Sequence, residues 1–297
     1  MSDVVELPPT PAPEAGPARS AGKRNPHILR VLFRRPAFVV GVVVLAWWVL
    51  CAICGEWIAP HDPYRTDVTT ALQPPSLEHL FGTDSLGRDV LSRVMAGSQS
   101  ILTISLLGAI LAIVLGTAIG LAMGYFGKFV DQALSRLAEA VMALPNVVLA
   151  LLALTALGRT DATLIIVVGG GFGWVVARTI RSAVLVERNS DYVASARVRG
   201  ENALYIMFGE ILPNVFPIII VEFTVRVGLA IFSVASLSFL GFGVQPPSPD
   251  WGLQVASSYS LLAAGYWWPA LFPSLAIASL VIAIYLIAET AREALER

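Results

Sequence analysis

Long apolar blocks dominate the chain, and two polar islands, 60–97 and 191–214, stand out against them. The first block, 37–58, is free of charge from 37 to 55. At about 1.5 Å per residue it can cross the ~30 Å hydrocarbon layer of a bilayer. A second span, 99–124, is predicted inside an uncharged stretch from 94 to 127. A third, 132–157, carries Arg136 and Glu139 in its first turns, spaced i and i+3 on one face. Pro145 predicts a kink in that span. Arg159 and Asp161 mark a return to water before a short fourth span, 162–177. Spans at 215–240 and 267–288 follow the second island. The expected fold class is therefore all-α: a polytopic membrane protein of six transmembrane helices, with an insertion at 59–97 and the remaining spans gathered in a domain at 98–290.

Small residues add detail to two blocks. Gly108, Ala112, Gly116, Gly120 and Gly124 fall every fourth residue and form a ridge along one helix face. Such a ridge lets a neighbouring helix approach closely, and packing within the chain is preferred here over homodimerisation. Gly169, Gly170, Gly171 and Gly173 interrupt the fourth span. They suit either the lining of a pathway or tight packing. Cys51 and Cys54 make a C-x-x-C inside the first span. A redox or metal role would want polar, electropositive surroundings, so these thiols are read as packing residues.

Composition agrees with the blocks. The chain is 56% hydrophobic and 14% charged, with mean hydropathy +0.72, where a soluble chain carries about a quarter charged residues. The tail, 1–36, is rich in Pro, Ala and Gly at 8–18 and is expected to be disordered there. A basic flank follows: Lys23, Arg24, Arg30, Arg34 and Arg35. The tail is too long for a cleavable signal, and the flank is read as membrane topology rather than a nucleic-acid arm.

The island 191–214 is the most informative stretch. Asp191 suits an N-cap, Ala194, Ser195 and Ala196 are small, and Gly200 is a natural stop, so a short helix is expected. The small triplet would leave one side nearly flat, with Arg197 and Arg199 on the other. Leu212-Pro213 is expected to break regular structure before the next span. A short helix of this kind between two spans has the form of a docking peg.

These residues resemble the cytoplasmic EAA loop of bacterial ABC importer permeases: a Glu-Ala-Ala-like triplet at 194–196, Gly200 four residues past it, and Leu212-Pro213 further on. Ala194 stands in the acidic first position, and Glu210 where the family has an apolar residue or His. Phe81-Gly82-Thr83-Asp84 with Gly87-Arg88-Asp89 is similar to the dipeptide, oligopeptide and nickel branch of that family, as is the Gly/Pro-rich turn from Phe239 to Gly252. The resemblance spans nearly the whole chain beyond Pro36. It implies the type I importer fold and a permease subunit that forms a translocation pathway. Two separate ATP-binding subunits would dock on a coupling loop, 178–214, through Asp191, Tyr192, Ala194, Ser195, Ala196, Arg197, Gly200, Leu212 and Pro213. It also implies a substrate-binding protein outside the membrane and a second homologous permease chain, usually a distinct one. Peptides fit the branch best, with nickel or another small solute as the alternative.

Other polar residues leave choices open. Asp84, Arg88 and Asp89 invite a catalytic or metal reading, but Gly82 and Gly87 favour a tight fold pinned by local ion pairs. Glu222 and Arg226, i and i+4 near the loop-side end of the fifth span, face a cavity or form a mutual salt bridge, the latter preferred. Glu139 is a further pathway or structural charge. Of the twenty Lys and Arg, fifteen fall on the side of the two tails and the 191–214 island and four on the other. The positive-inside rule therefore puts both termini in the cytoplasm of a bacterial cell and the 59–97 insertion outside.

No G-x-x-x-x-G-K-[ST] is present, so ATP and magnesium are expected on the partner subunits and no cofactor or metal on this chain. His27, His61 and His79 all lie outside the spans. No nucleophile has a base in evident reach, which argues against a membrane enzyme. A self-contained secondary transporter would show inverted repeats, which are not apparent.

Overall fold

The structure is a computed structural model that describes residue 33 and residues 35–295. The disordered stretch expected at 8–18, the basics from Lys23 to Arg34 and the terminal Arg297 lie outside them. The described residues are helical, with one isolated bridge, Thr83 to Asp89, and no strand.

Among the described residues, nine helices carry the architecture. They are α1 (Pro36–Ile58), α2 (Val90–Phe126), α3 (Lys128–Met142), α4 (Asn146–Leu157), α5 (Asp161–Glu187), α6 (Asp191–Val198), α7 (Leu212–Phe239), α8 (Trp251–Ser258) and α9 (Trp268–Leu295). Among the described residues, five helical stretches are long and apolar enough to cross a membrane: α1, α2, α5, α9 and the stretch Ala203–Phe239 that ends in α7. α3 and α4 make a sixth only as a bent pair.

Three expectations change. Pro145 does more than kink the third span: it separates α3 from α4 at an angle of 86°. A proline disfavours helical backbone in the residue before it, here Leu144, and cannot donate to the preceding turn. The short fourth span is one continuous 27-residue helix that runs on through Arg178 and Arg181 to Glu187. Those two arginines are therefore helical, not part of a loop. The second span starts at Val90 and reaches 37 residues, because Asp89 caps it by accepting from Ser92 N–H.

The small-residue ridge packs inside the chain, as preferred. A Cβ on Gly116 would stand 2.5 Å from Val176 Cβ, one on Gly120 2.7 Å from Ala177 O, and one on Gly124 2.6 Å from Val184 Cβ. All of these neighbours are on α5. Two α5 glycines belong to the same seam: Gly169 faces Leu111, and Gly173 faces Leu115. Gly171 instead meets Asn146 at the start of α4, and Gly170 has open space. Cys51 is buried in the core beside Trp48 and Trp251, both cysteines being free thiols.

The helices end at two distinct poles. At one pole the 59–89 insertion and the turn after α7 close over the head of α2. Asp84 accepts from the backbone of Leu86 and Arg88 and pairs with the Arg88 side chain at 2.7 Å, so the ion-pair reading holds for Asp84 and Arg88, while Asp89 instead meets His61, His79 and Ser92. Arg93, buried, donates to Pro63 O and Ser248 O. Trp268 Nε1 donates to Thr83 O, and Trp251 Nε1 to Val94 O at 2.7 Å. The sequence-distant motifs at 81–89 and 239–252 thus meet around Arg93. At the other pole lie α6, the Gly127 turn and both ends of the described chain, where Arg35 pairs with Glu293.

Candidate functional site

The second pole is built around α6. Its N-cap is Ser190, not Asp191 as expected. Ser190 Oγ turns back to Glu187 O, and Asp191 occupies the first helical turn, where a negative charge complements the helix dipole. Gly200 stops the helix as expected. Its φ of +80° is the left-handed conformation that glycine adopts without cost. Its N–H donates to Arg197 O, and Glu201 N–H reaches back to Ala196 O. This pair of bonds is the Schellman closure. A Cβ on Gly200 would meet nothing within 4 Å, so glycine is required here for its backbone and not for close packing inside the chain.

The small triplet does not share one face. Ala194 and Ser195 are exposed, but Ala196 is fully buried together with Val193. A helix places i and i+3 on one side, and 193 and 196 turn inward onto a small apolar core. That core contains Leu121 from α2, Val176, Ile180 and Val184 from α5, and Ile206, Met207, Ile211 and Val215 from the next helical run. Ser195 Oγ donates to Asp191 O, which leaves the outer face smooth. Tyr192 OH donates to Glu187 Oε2 at 2.7 Å, and burial, followed by that carboxylate, pushes its phenol up to about 12. Arg197 lies over the Tyr125 ring at 5.7 Å.

Leu212-Pro213 is not a break. Leu212 packs against the small core, and the exposed Pro213 sits in the first turn of α7, where its missing N–H is tolerated. The turn before it, Ile206–Ile211, is π-helical and widens the backbone ahead of the proline ring. Helix therefore continues from Ala203 to Phe239. Glu210, the departure from the family pattern, accepts from Arg199 Nη2 at 3.2 Å and so ties the end of α6 to this turn.

Exposed apolar side chains at this pole were not anticipated. Val198 is 89% exposed, and Leu204, Tyr205 and Phe208 also face outward. Val198 is a single apolar residue between two arginines, and Leu204, Tyr205 and Phe208 stand in the apolar run 204–208, which does not by itself say which members face outward.

The remaining charges fall elsewhere. Glu139 pairs with Arg136 at 3.2 Å on an exposed face of α3. It borders a recess of ≈ 540 Å³ shared with Ser135, Arg178, Arg181 and Ser182. Arg181 in turn chelates Asp131 at the foot of α3. Glu222 and Arg226 form the expected mutual bridge at 2.8 Å. They stand in the middle of the Ala203–Phe239 stretch, however, not near its loop-side end, with Arg226 over the Phe172 ring of α5.

Residues 116–297 match the family described as "Binding-protein-dependent transport system inner membrane component". Residues 27–75 match "N-terminal TM domain of oligopeptide transport permease C". Similar proteins cover most of the chain. A Brucella suis biovar 1 protein, provisionally named a peptide transport system permease protein, is 40% identical over 277 residues, 92% of each chain. The di/tripeptide transport system permease protein of Pseudomonas aeruginosa is 35% identical over 86% of each chain. The glutathione transport system permease protein of Pectobacterium atrosepticum is 34% identical over 87% of this chain and 84% of its own. The chain belongs to the inner-membrane permease components of binding-protein-dependent transport systems.

Proposed function

We propose that this chain is the permease subunit of an ATP-driven importer that carries di- or oligopeptides across a bacterial inner membrane. The observation that carries the mechanical reading is the division of α6. One face, Val193 and Ala196, is sealed into a core shared by α2, α5 and the Ala203–Phe239 helix; the other, Ala194, Ser195 and Val198, is bare. A partner pressing on the bare face moves α6 as a rigid part of three spanning helices, because close-packed interiors transmit displacement. Separate ATP-binding subunits supply that force and hold the nucleotide and magnesium; the chain itself acts as conduit and transmission element, not as an enzyme. Asp191, Tyr192, Arg197, Gly200, Leu212 and Pro213 position this peg. Both termini and α6 face the cytoplasm, in keeping with the Lys/Arg asymmetry, and the 59–89 insertion faces a substrate-binding protein. A second, distinct permease chain completes the pathway. Peptide as solute rests on the names of the relatives.

The test is reconstitution with the ATPase, second permease and binding proteins in liposomes. Dipeptide uptake should require ATP and the binding protein. Gly200→Val forces a β-branched residue into left-handed backbone at a local cost of about 1–2 kcal/mol. It should leave membrane insertion intact while uptake per ATP hydrolysed falls about tenfold, equivalent to ~1.4 kcal/mol of coupling. Uptake by this chain alone without ATP overturns the proposal, and unaltered coupling in the Gly200 variant overturns the role given to α6.

A further inference from the structure

We propose that His61, His79 and Asp89 bind one divalent transition-metal ion of the zinc type at the pole opposite α6. The three residues come from separate parts of the insertion, yet one ligand atom from each lies within 4.8 Å of the others. Asp89 Oδ1 is 2.9 Å from His79 Nδ1 and 3.7 Å from His61 Nδ1. A tetrahedral zinc with bonds of about 2.0–2.1 Å separates its ligands by about 3.3 Å, so the two gaps bracket the spacing that an ion requires. The two imidazole rings lie 4.7 Å apart and tilted, not stacked face to face.

The surroundings distinguish this cluster from an ordinary hydrogen-bonded one. His61 Nδ1 is buried and has no hydrogen-bond partner, although it points at a carboxylate. Asp89 is almost fully buried, and its other oxygen already accepts from both the N–H and the Oγ of Ser92. That leaves Oδ1 to serve both rings. The ligands are also held by bonds that involve no ion. His61 N–H donates to Ser92 Oγ, and His79 N–H to Ser76 Oγ, each at 3.0 Å. The His79 carbonyl accepts from Ser76 and Gly82. Such support around a ligand set fixes ring orientation before metal arrives. The His61 side chain remains 39% exposed, which gives an ion access and leaves a coordination position for water. Two imidazoles and one carboxylate suit zinc and its neighbours rather than magnesium or calcium. The ion would staple the loop after α1 to the segment before Gly82 and to the head of α2.

The test uses the full chain in detergent, purified through a tag without histidine, stripped with EDTA and titrated with zinc chloride. Calorimetry and metal content after desalting should give one zinc per chain. His61→Ala and His79→Gln should each weaken binding by at least about tenfold, while His27→Ala, at the remaining histidine of the chain, leaves it unchanged. Zinc should raise the unfolding temperature of the wild type but not of His61→Ala. Without zinc, His61→Ala should unfold with the wild type, since its ring has no hydrogen bond to lose. Absence of saturable one-to-one binding overturns the proposal. So does wild-type affinity in His61→Ala, which would identify the cluster as a His79–Asp89 hydrogen bond only.

Discussion

The two poles of the bundle are held in opposite ways. At the insertion pole, bonds run between segments far apart in sequence: Arg93 to Ser248, Trp268 to Thr83, Trp251 to Val94 and Gln254 to Arg93. At the α6 pole most polar bonds are local, as in the Gly200 closure and the Tyr192–Glu187 and Arg199–Glu210 pairs. The first arrangement clamps the head of α2 to α8, α9, the insertion and the turn after α7. The second fixes the shape of one short helix and leaves its outer face bare. If α6 receives the push proposed above, the clamp at the insertion pole is the stop it works against.

The contrast can be broken at the clamp. Trp251 is fully buried, contacts the Trp48 ring at 4.7 Å and donates to Val94 O. Trp251→Ala should cost about 3–5 kcal/mol, measured as the midpoint of unfolding in mixed micelles. A loss well below that range would show that the clamp bears little of the load. Between the poles, Gly120→Ala places a Cβ 2.7 Å from Ala177 O and 2.8 Å from Ile180 Cβ, and should cost about 1–3 kcal/mol by the same measurement. The smallest effect is expected at Asp250, which is fully buried and caps α8 by accepting from Leu253 N–H. Burial above all, with Asp161 nearby, raises its pKa over the ordinary carboxylate value. The folded state thus holds this proton more tightly than the unfolded one. Its contribution is full below the unfolded pKa and is lost as pH rises through the folded value. Asp250→Asn keeps the cap and should flatten that slope; Asp250→Ala should lose about 1 kcal/mol of capping. Unfolding midpoints across pH separate the two variants.

Much of the α6 pole was legible in the sequence, and most of the clamp was not. Gly200 announced a helix stop because few residues other than glycine adopt left-handed backbone cheaply, and the glycines every fourth residue announced a close helix seam, though not that α5 fills it. Helix ends were misjudged where hydropathy was the guide. Apolarity marks the layer that contacts lipid, whereas α5 continues in polar sequence through Arg181 to Glu187. The sorting of Ala194 and Ser195 from Ala196 needed the helical phase, which Val193 sets and the triplet alone does not. His61 and His79 lie in irregular backbone whose path no periodicity reveals, so their meeting at Asp89 could be found only in three dimensions.

The length of two helical stretches has a thermodynamic consequence. α2 and Ala203–Phe239 each have 37 residues, about 55 Å of helix against ~30 Å of hydrocarbon. The small core around Val193 and Ala196 lies toward their ends, and with α6 in the cytoplasm, as proposed, water and not lipid is its competing solvent. Inside the bilayer, helices gain nothing by hiding oily surface, and close contact such as the glycine seam must hold them. Beyond it, α2 and the Ala203–Phe239 helix are joined by ordinary hydrophobic attraction, with its entropic origin and heat-capacity signature. Along its length α2 is thus bonded by two different physical forces, to α5 through the glycine seam and to the Ala203–Phe239 helix through the small core, and only the hydrophobic one at the α6 pole weakens on cooling.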